Sequence, residues 1–197
     1  MKTNRELLDP SFFAREPTRC ARELIGCRVK WKGCAGVIVE TEAYDAAGDT
    51  ACHTHVRPAA RRFIEEHAAG TAYVYLNYGL HWLFNLLVKG GERDGFVLFR
   101  ALEPLRGLPL MRRRRGREEK VDLCSGPGKL TQALGIDGAL HGVQVLESGS
   151  FALWRAGNDP GEEPLACRRV GISSAVERKW RFVRVGSPCL SVPPGKE

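Results

Sequence analysis

Apolar and polar positions are most tightly patterned between Thr71 and Asn85. The runs Thr71-Ala72-Tyr73-Val74-Tyr75-Leu76-Asn77 and Leu80-His81-Trp82-Leu83-Phe84-Asn85 flank Tyr78-Gly79. Two aromatic and branched runs about a glycine predict a β-hairpin. Its tip is not polar, because Tyr78 stands there with Leu80 and His81 beside it. An apolar ring at a turn either folds back onto the core or asks for a partner surface. In a basic protein that partner is a stack of bases, which such a ring can wedge apart.

The same patterning divides the rest of the chain. Pro17 to Leu24 predicts a short amphipathic helix with proline in its first turn. Arg28 to Trp31 alternates as a strand, and Ala35 to Thr41 returns as a buried one after a turn at Gly33. Glu42-Ala43-Tyr44 is expected where that strand ends, and Asp45 to Pro58 as a loop. A helix follows over Ala59 to His67, and a strand over Gly95 to Ala101 that stops at Glu103-Pro104. Leu105 to Arg115 predicts a helix, and Ser125-Gly126-Pro127-Gly128-Lys129 a turn that feeds another. Val143 to Trp154 predicts one or two strands, Asn158 to Pro164 a surface loop, and Trp180 to Val185 a last strand before a frayed tail from Ser191. No repeat or long linker divides the 197 residues.

Charge narrows the partner. A net charge of +7 suggests a polyanion, either nucleic acid or an anionic membrane surface. No apolar run reaches the length of a membrane span, and no signal-like stretch follows Met1, so the expectation is a cytoplasmic protein. The seven cysteines include no Cys-x-x-Cys pair and are expected to be reduced and mostly packed.

Four groups of residues carry candidate chemistry. Glu40 and Glu42 share one strand face and could orient or deprotonate a water, or could be a solvated strand end. His53 and His55 near a glutamate could hold a metal, although no third ligand has a recognisable spacing. Arg112, Arg113, Arg114 and Arg115 read as a phosphate-contacting patch or as a helix end complementing its dipole. Ser125, Gly126 and Lys129 lack the spacing of an ATP-binding loop, but a glycine turn at a helix N-terminus can hold one DNA phosphate.

Taken together, these stretches resemble the alkyladenine (3-methyladenine) DNA glycosylase family. The matching blocks are Val39-Glu40-Thr41-Glu42-Ala43-Tyr44, His53, Tyr73 to His81 with Asn85, Arg100 to Leu105, and Leu123 to Leu130. They occur in the family's order and spacing, and the likeness runs from Pro10 to Gly186. The resemblance implies a single α/β mixed (α+β) domain with a curved, mainly antiparallel sheet, flanking helices and a protruding hairpin. It implies a monomeric, metal-free and cofactor-free enzyme that removes alkylated or deaminated purines from double-stranded DNA. By position, Glu42 matches the family's water-activating acid, and Arg100 the arginine beside the catalytic water and the phosphate. Tyr44, His53 and Tyr75 match the residues that sandwich and hydrogen-bond the flipped base, and Asn85 the asparagine that limits which purines fit. Tyr78 matches the intercalating tyrosine, with Leu80 at a position where many relatives carry methionine. The chain departs from the family over Thr54 to Phe63, where relatives run through a basic, glycine-containing stretch that contacts phosphate.

Overall fold

The computed structural model describes residues 6–155 and 163–196; the expected loop from Asn158 lies largely outside them. A short 3-10 turn over Pro10–Phe13 seats Phe12 and Phe13 in the core. It leads into α1 (Pro17–Glu23), β1 (Arg28–Trp31) and β2 (Cys34–Asp45). Then come α2 (His53–Val56), α3 (Pro58–Glu66), β3 (Ala72–Asn77), β4 (His81–Val88) and β5 (Gly95–Arg106). The helices α4 (Leu108–Arg115), α5 (Lys120–Leu123) and α6 (Pro127–Leu134) follow, and β6 (Phe151–Trp154), β7 (Leu165–Cys167) and β8 (Arg181–Val183) close the order.

The expected mixed α/β architecture is what the chain adopts. One eight-stranded sheet runs β3-β4-β5-β2-β1-β6, with β8 on β2 and β7 on β8. Every strand pair is antiparallel. β2 is its axis. β5 pairs along nearly its whole length, while β1 covers its first half and β8 takes over at Glu40, Thr41 and Glu42. The register slips between Ile38 and Thr41 at this handover, as expected where a bulge re-aims side chains. Most of the apolar core, including Phe13, Leu24, Ile38, Phe84, Phe99, Leu102, Met111 and Leu130, forms one cluster. A second, with Cys52, Phe63, Tyr73, Leu87 and Phe96, lies beneath α3. All seven cysteines are buried, in keeping with their expected packing as small apolar groups.

Several boundaries differ from expectation, each for a tertiary reason. β2 continues through Glu42, Ala43 and Tyr44 to Asp45 because β5 still pairs with it, Asp45 opposite Gly95. A β-carbon on Gly95 would stand 2.0 Å from the Tyr44 carbonyl oxygen, so only glycine allows that approach. β5 does not stop at Glu103-Pro104: Pro104 falls opposite Gly36 at a register irregularity, one of the places where a strand tolerates a residue without an N–H. α4 accordingly begins at Leu108, not Leu105. The stretch read as a loop holds α2, and Pro58 opens α3. Of Val143 to Trp154 only the last four residues form a strand, Val145–Glu147 being a 3-10 turn. The last strand is confined to Arg181–Val183. β7, Leu165-Ala166-Cys167, has too little branched or aromatic character to be read as a strand from sequence.

Candidate active site

β2 carries two carboxylates into the centre of the sheet, where Glu40 and Glu42 have no solvent exposure. A buried charge persists only when paired. Glu40 Oε1 accepts from Arg100 Nε at 2.8 Å, Arg181 Nε at 2.8 Å and Ser191 Oγ at 2.6 Å, and Oε2 accepts from the Ser191 amide at 2.7 Å. Burial would raise this carboxyl, but the two guanidiniums and Ser191 hold it below the ordinary carboxylate range. The segment read as a frayed tail is therefore anchored at Ser191, by a residue 151 positions away in the chain.

Glu42 has different company. Its Oε2 accepts from Tyr44 Oη at 2.8 Å and from an Arg100 terminal nitrogen at 3.2 Å, while Oε1 accepts from the Val170 amide at 2.8 Å. The two oxygens of a carboxylate can accept about four hydrogen bonds in all, and three are made here. Burial, then the neighbouring Glu42, pushes the Tyr44 phenol well above its ordinary value, so it stays a donor. Arg100 has its guanidinium shared between both carboxylates and Ser191 Oγ.

Tyr44, Arg100 and Val170, the three partners of Glu42, line one cleft of about 820 Å³, within the usual size for a small-ligand site. His53, Tyr75 and Asn85 line it too. α2 presents His53 with its ring centroid 4.3 Å from that of Tyr75 and its Nδ1 3.1 Å from Tyr73 Oη. Burial, then the nearby Arg57, lowers the imidazole to about 4, so His53 is neutral at physiological pH. Asn85 is fixed by donating Nδ2 to the Tyr73 carbonyl at 3.1 Å. Glu42, Tyr44, His53, Tyr75, Asn85 and Arg100 are thus brought together from five elements, β2, α2, β3, β4 and β5.

At the rim, Tyr78 is 86% exposed and Leu80 75% exposed, so neither folds back onto the core. Tyr78 holds φ 50°, a conformation uncommon outside glycine. His81 packs against the first turn of α6, where a β-carbon on Gly128 would lie 2.9 Å from His81 Cβ. Gly126 and Lys129 line the same rim, and Lys129 Nζ donates to Ser125 Oγ at 3.3 Å. The arginine run divides. Arg115 lines the cleft and Arg113 is exposed, while Arg112 Nε donates to the Glu118 carbonyl at 2.9 Å. Arg114 is tied into the fold, donating to the Ala133 carbonyl at 3.0 Å and to Cys34 Sγ at 3.7 Å. His55 is exposed, and among the described residues no three His, Cys, Asp or Glu side chains stand together as a metal site.

The opposite wall was not legible in the sequence. Residues 170–174 close the cleft beside Tyr44, held by a buried bidentate pair in which Arg169 donates to Asp49 at 2.6 and 2.8 Å. The Arg169 guanidinium also lies 4.7 Å from the Tyr44 ring centroid. Asp49 and Arg169 are 120 positions apart in irregular segments, and no local pattern links them. Asn77 and Gln132 complete the rim.

A paired buried carboxylate thus lies under an aromatic-walled cleft, with basic groups and an apolar hairpin tip at its rim. The chain belongs to the methylpurine-DNA glycosylase family, whose model matches residues 11–188. It is a DNA glycosylase, a hydrolase of the N-glycosidic bond. It is 44% identical over 187 residues to a protein of Rhodopseudomonas palustris, covering 95% of this chain and 89% of that one. A protein of Rubrobacter xylanophilus is 44% identical over 82% of both chains, and one of Salinibacter ruber 41% identical over 90% of this chain and 92% of its own. All three are provisionally named 3-methyladenine DNA glycosylases. No helix among the described residues is long and apolar enough to cross a membrane.

Proposed function

We propose that this enzyme flips alkylated or deaminated purines out of duplex DNA into the cleft and hydrolyses their N-glycosidic bond with a water activated by Glu42. It acts as a single domain and a monomer in the cytoplasm, without metal or cofactor. The observation that carries the reading is the Glu42 carboxyl group, buried and hydrogen-bonded by Arg100, with every partner that holds it on the cleft wall.

A base inside the stack is out of reach, so the nucleotide must leave it. Tyr78 fills the gap and slows the return. Sequence-independent affinity comes from phosphate contacts of Arg113, Arg115 and Lys129. The extruded purine lies between Tyr44 and the His53–Tyr75 pair. His53 hydrogen-bonds the base edge through Nε2, its Nδ1 being engaged by Tyr73 Oη. The bond from the sugar C1′ to the base nitrogen breaks with its electron pair leaving on the base. A cationic purine departs as it is, and a neutral one takes up a proton. Glu42 accepts the proton of the attacking water as its oxygen bonds to C1′, and its charge stabilises the oxocarbenium-like sugar. Arg100 holds Glu42 in place through its hydrogen bond to Oε2.

The test is base release from duplexes that each carry one lesion, hypoxanthine or 7-methylguanine. Glu42→Gln, which leaves Arg100 its Glu40 partner, is expected to bind these duplexes and to lose about 10²- to 10⁴-fold in release. Release near the unmodified rate would overturn the role of Glu42. Binding without any release by the unmodified protein would point instead to a non-catalytic damage-binding protein.

A further inference from the structure

We propose that Arg57 is a specificity residue of this enzyme: its fixed positive charge beside the Tyr75 wall disfavours cationic purines relative to neutral ones. The assignment rests on the base pocket proposed above.

The charges around the pocket decide the matter. Glu40 and Glu42 are balanced by Arg100 and Arg181, all four buried in one hydrogen-bonded group. Arg169 is balanced by its bidentate pairing to Asp49. Arg57 has no ion-pair partner among the described residues, and neither do Arg115 and Lys129 at the rim; of these three, Arg57 is the one over the Tyr75 ring. It closes the α2 turn by donating its amide to the His53 carbonyl at 2.7 Å, which fixes its backbone beside the pocket histidine. Its guanidinium carbon lies 5.6 Å from the Tyr75 ring centroid. It also stands close enough to His53 to lower that imidazole further after burial has done so.

Two effects then act in one direction. A guanidinium at an aromatic face already draws on the electron-rich face that a cationic base would use. Tyr44 is in the same condition, with Arg169 at 4.7 Å from its ring centroid. The net charge of Arg57 also repels a purine made cationic by alkylation, while a neutral deaminated purine is not repelled. Arg57 is exposed, so water and salt reduce the repulsion. At an effective dielectric between surface and bulk values, a selectivity of about three- to tenfold remains.

The experiment compares single-turnover, subsaturating excision of 7-methylguanine, which is cationic, with hypoxanthine, which is neutral, in otherwise identical duplexes. Arg57→Met is expected to raise the ratio of the two rates about three- to tenfold in favour of 7-methylguanine, with an unchanged melting temperature. Arg57→Lys, which keeps the charge, is expected to keep the unmodified ratio. A ratio unaltered by Arg57→Met overturns the assignment. So does an equal loss on both lesions, which would make Arg57 a phosphate contact. Release of neither base by the unmodified enzyme overturns the pocket reading and this assignment with it.

Discussion

Replacing Tyr78 with asparagine separates what the hairpin tip does for the fold from what it does for DNA. Tyr78 sits at φ 50° with 86% of its surface exposed. A left-handed conformation costs a residue with a β-carbon about 1–2 kcal/mol, and the ring makes little contact that could offset it. Asparagine visits this region far more readily, so the substitution should stabilise the protein by about 0.5–1 kcal/mol, a rise of about 1–4 °C in melting temperature for a chain of this size. The effect on DNA has the opposite sign. Once the base is extruded, the flipped state loses the stacking of one ring, about 1–3 kcal/mol, or about five- to a hundredfold in flipped population. The loss should be largest for lesions well paired with the opposite strand and smallest for mismatched lesions or single strands, which are already partly unstacked. The assay is excision under single-turnover, subsaturating conditions on paired and mismatched substrates, with a melting curve for each protein. A fall of several degrees in melting temperature, with equal excision on both substrates, would refute both the strain and the wedge.

Glu40→Gln removes a charge that two buried arginines share, and should destabilise by about 3–5 kcal/mol in urea unfolding; a change below 1 kcal/mol would mean that the cluster relaxes around a neutral partner. Arg113→Ser should lower the salt slope of DNA binding by about one without changing stability, whereas Arg114→Ser, which loses its hydrogen bonds to Ala133 and Cys34, should cost about 1–3 kcal/mol and leave the slope unchanged. His53 is held neutral down to about pH 4, while in the unfolded chain it takes its proton near the ordinary 6.5. The unfolded state therefore binds more protons in that window, and stability should fall as pH drops through it. Glu40, held below its ordinary carboxylate value, adds a second loss as pH falls through its own titration. Denaturation at pH 7, 5.5 and 4.5 of the unmodified protein and His53→Gln measures the first loss, which the variant should lack.

The amino-acid sequence by itself determined what short-range pattern can encode. The β3–β4 hairpin with Tyr78-Gly79 at its turn, α1 with its proline start, β1, and α6 behind its glycine turn all follow from periodicity and turn chemistry. The family was legible too, because its blocks lie in order along the chain. Tertiary structure decided what depends on distant partners. β2 and β5 extend past their apparent stops because each pairs with the other beyond them. Ser191 joined the site because Glu40 needs donors where water cannot reach. The Arg169–Asp49 pair, which holds the wall beside Tyr44, joins residues 120 positions apart. Periodicity reports the surface on which a residue lies. It does not report which buried charge that residue must neutralise, because burying an unpaired charge is costly only once the whole chain has closed around it.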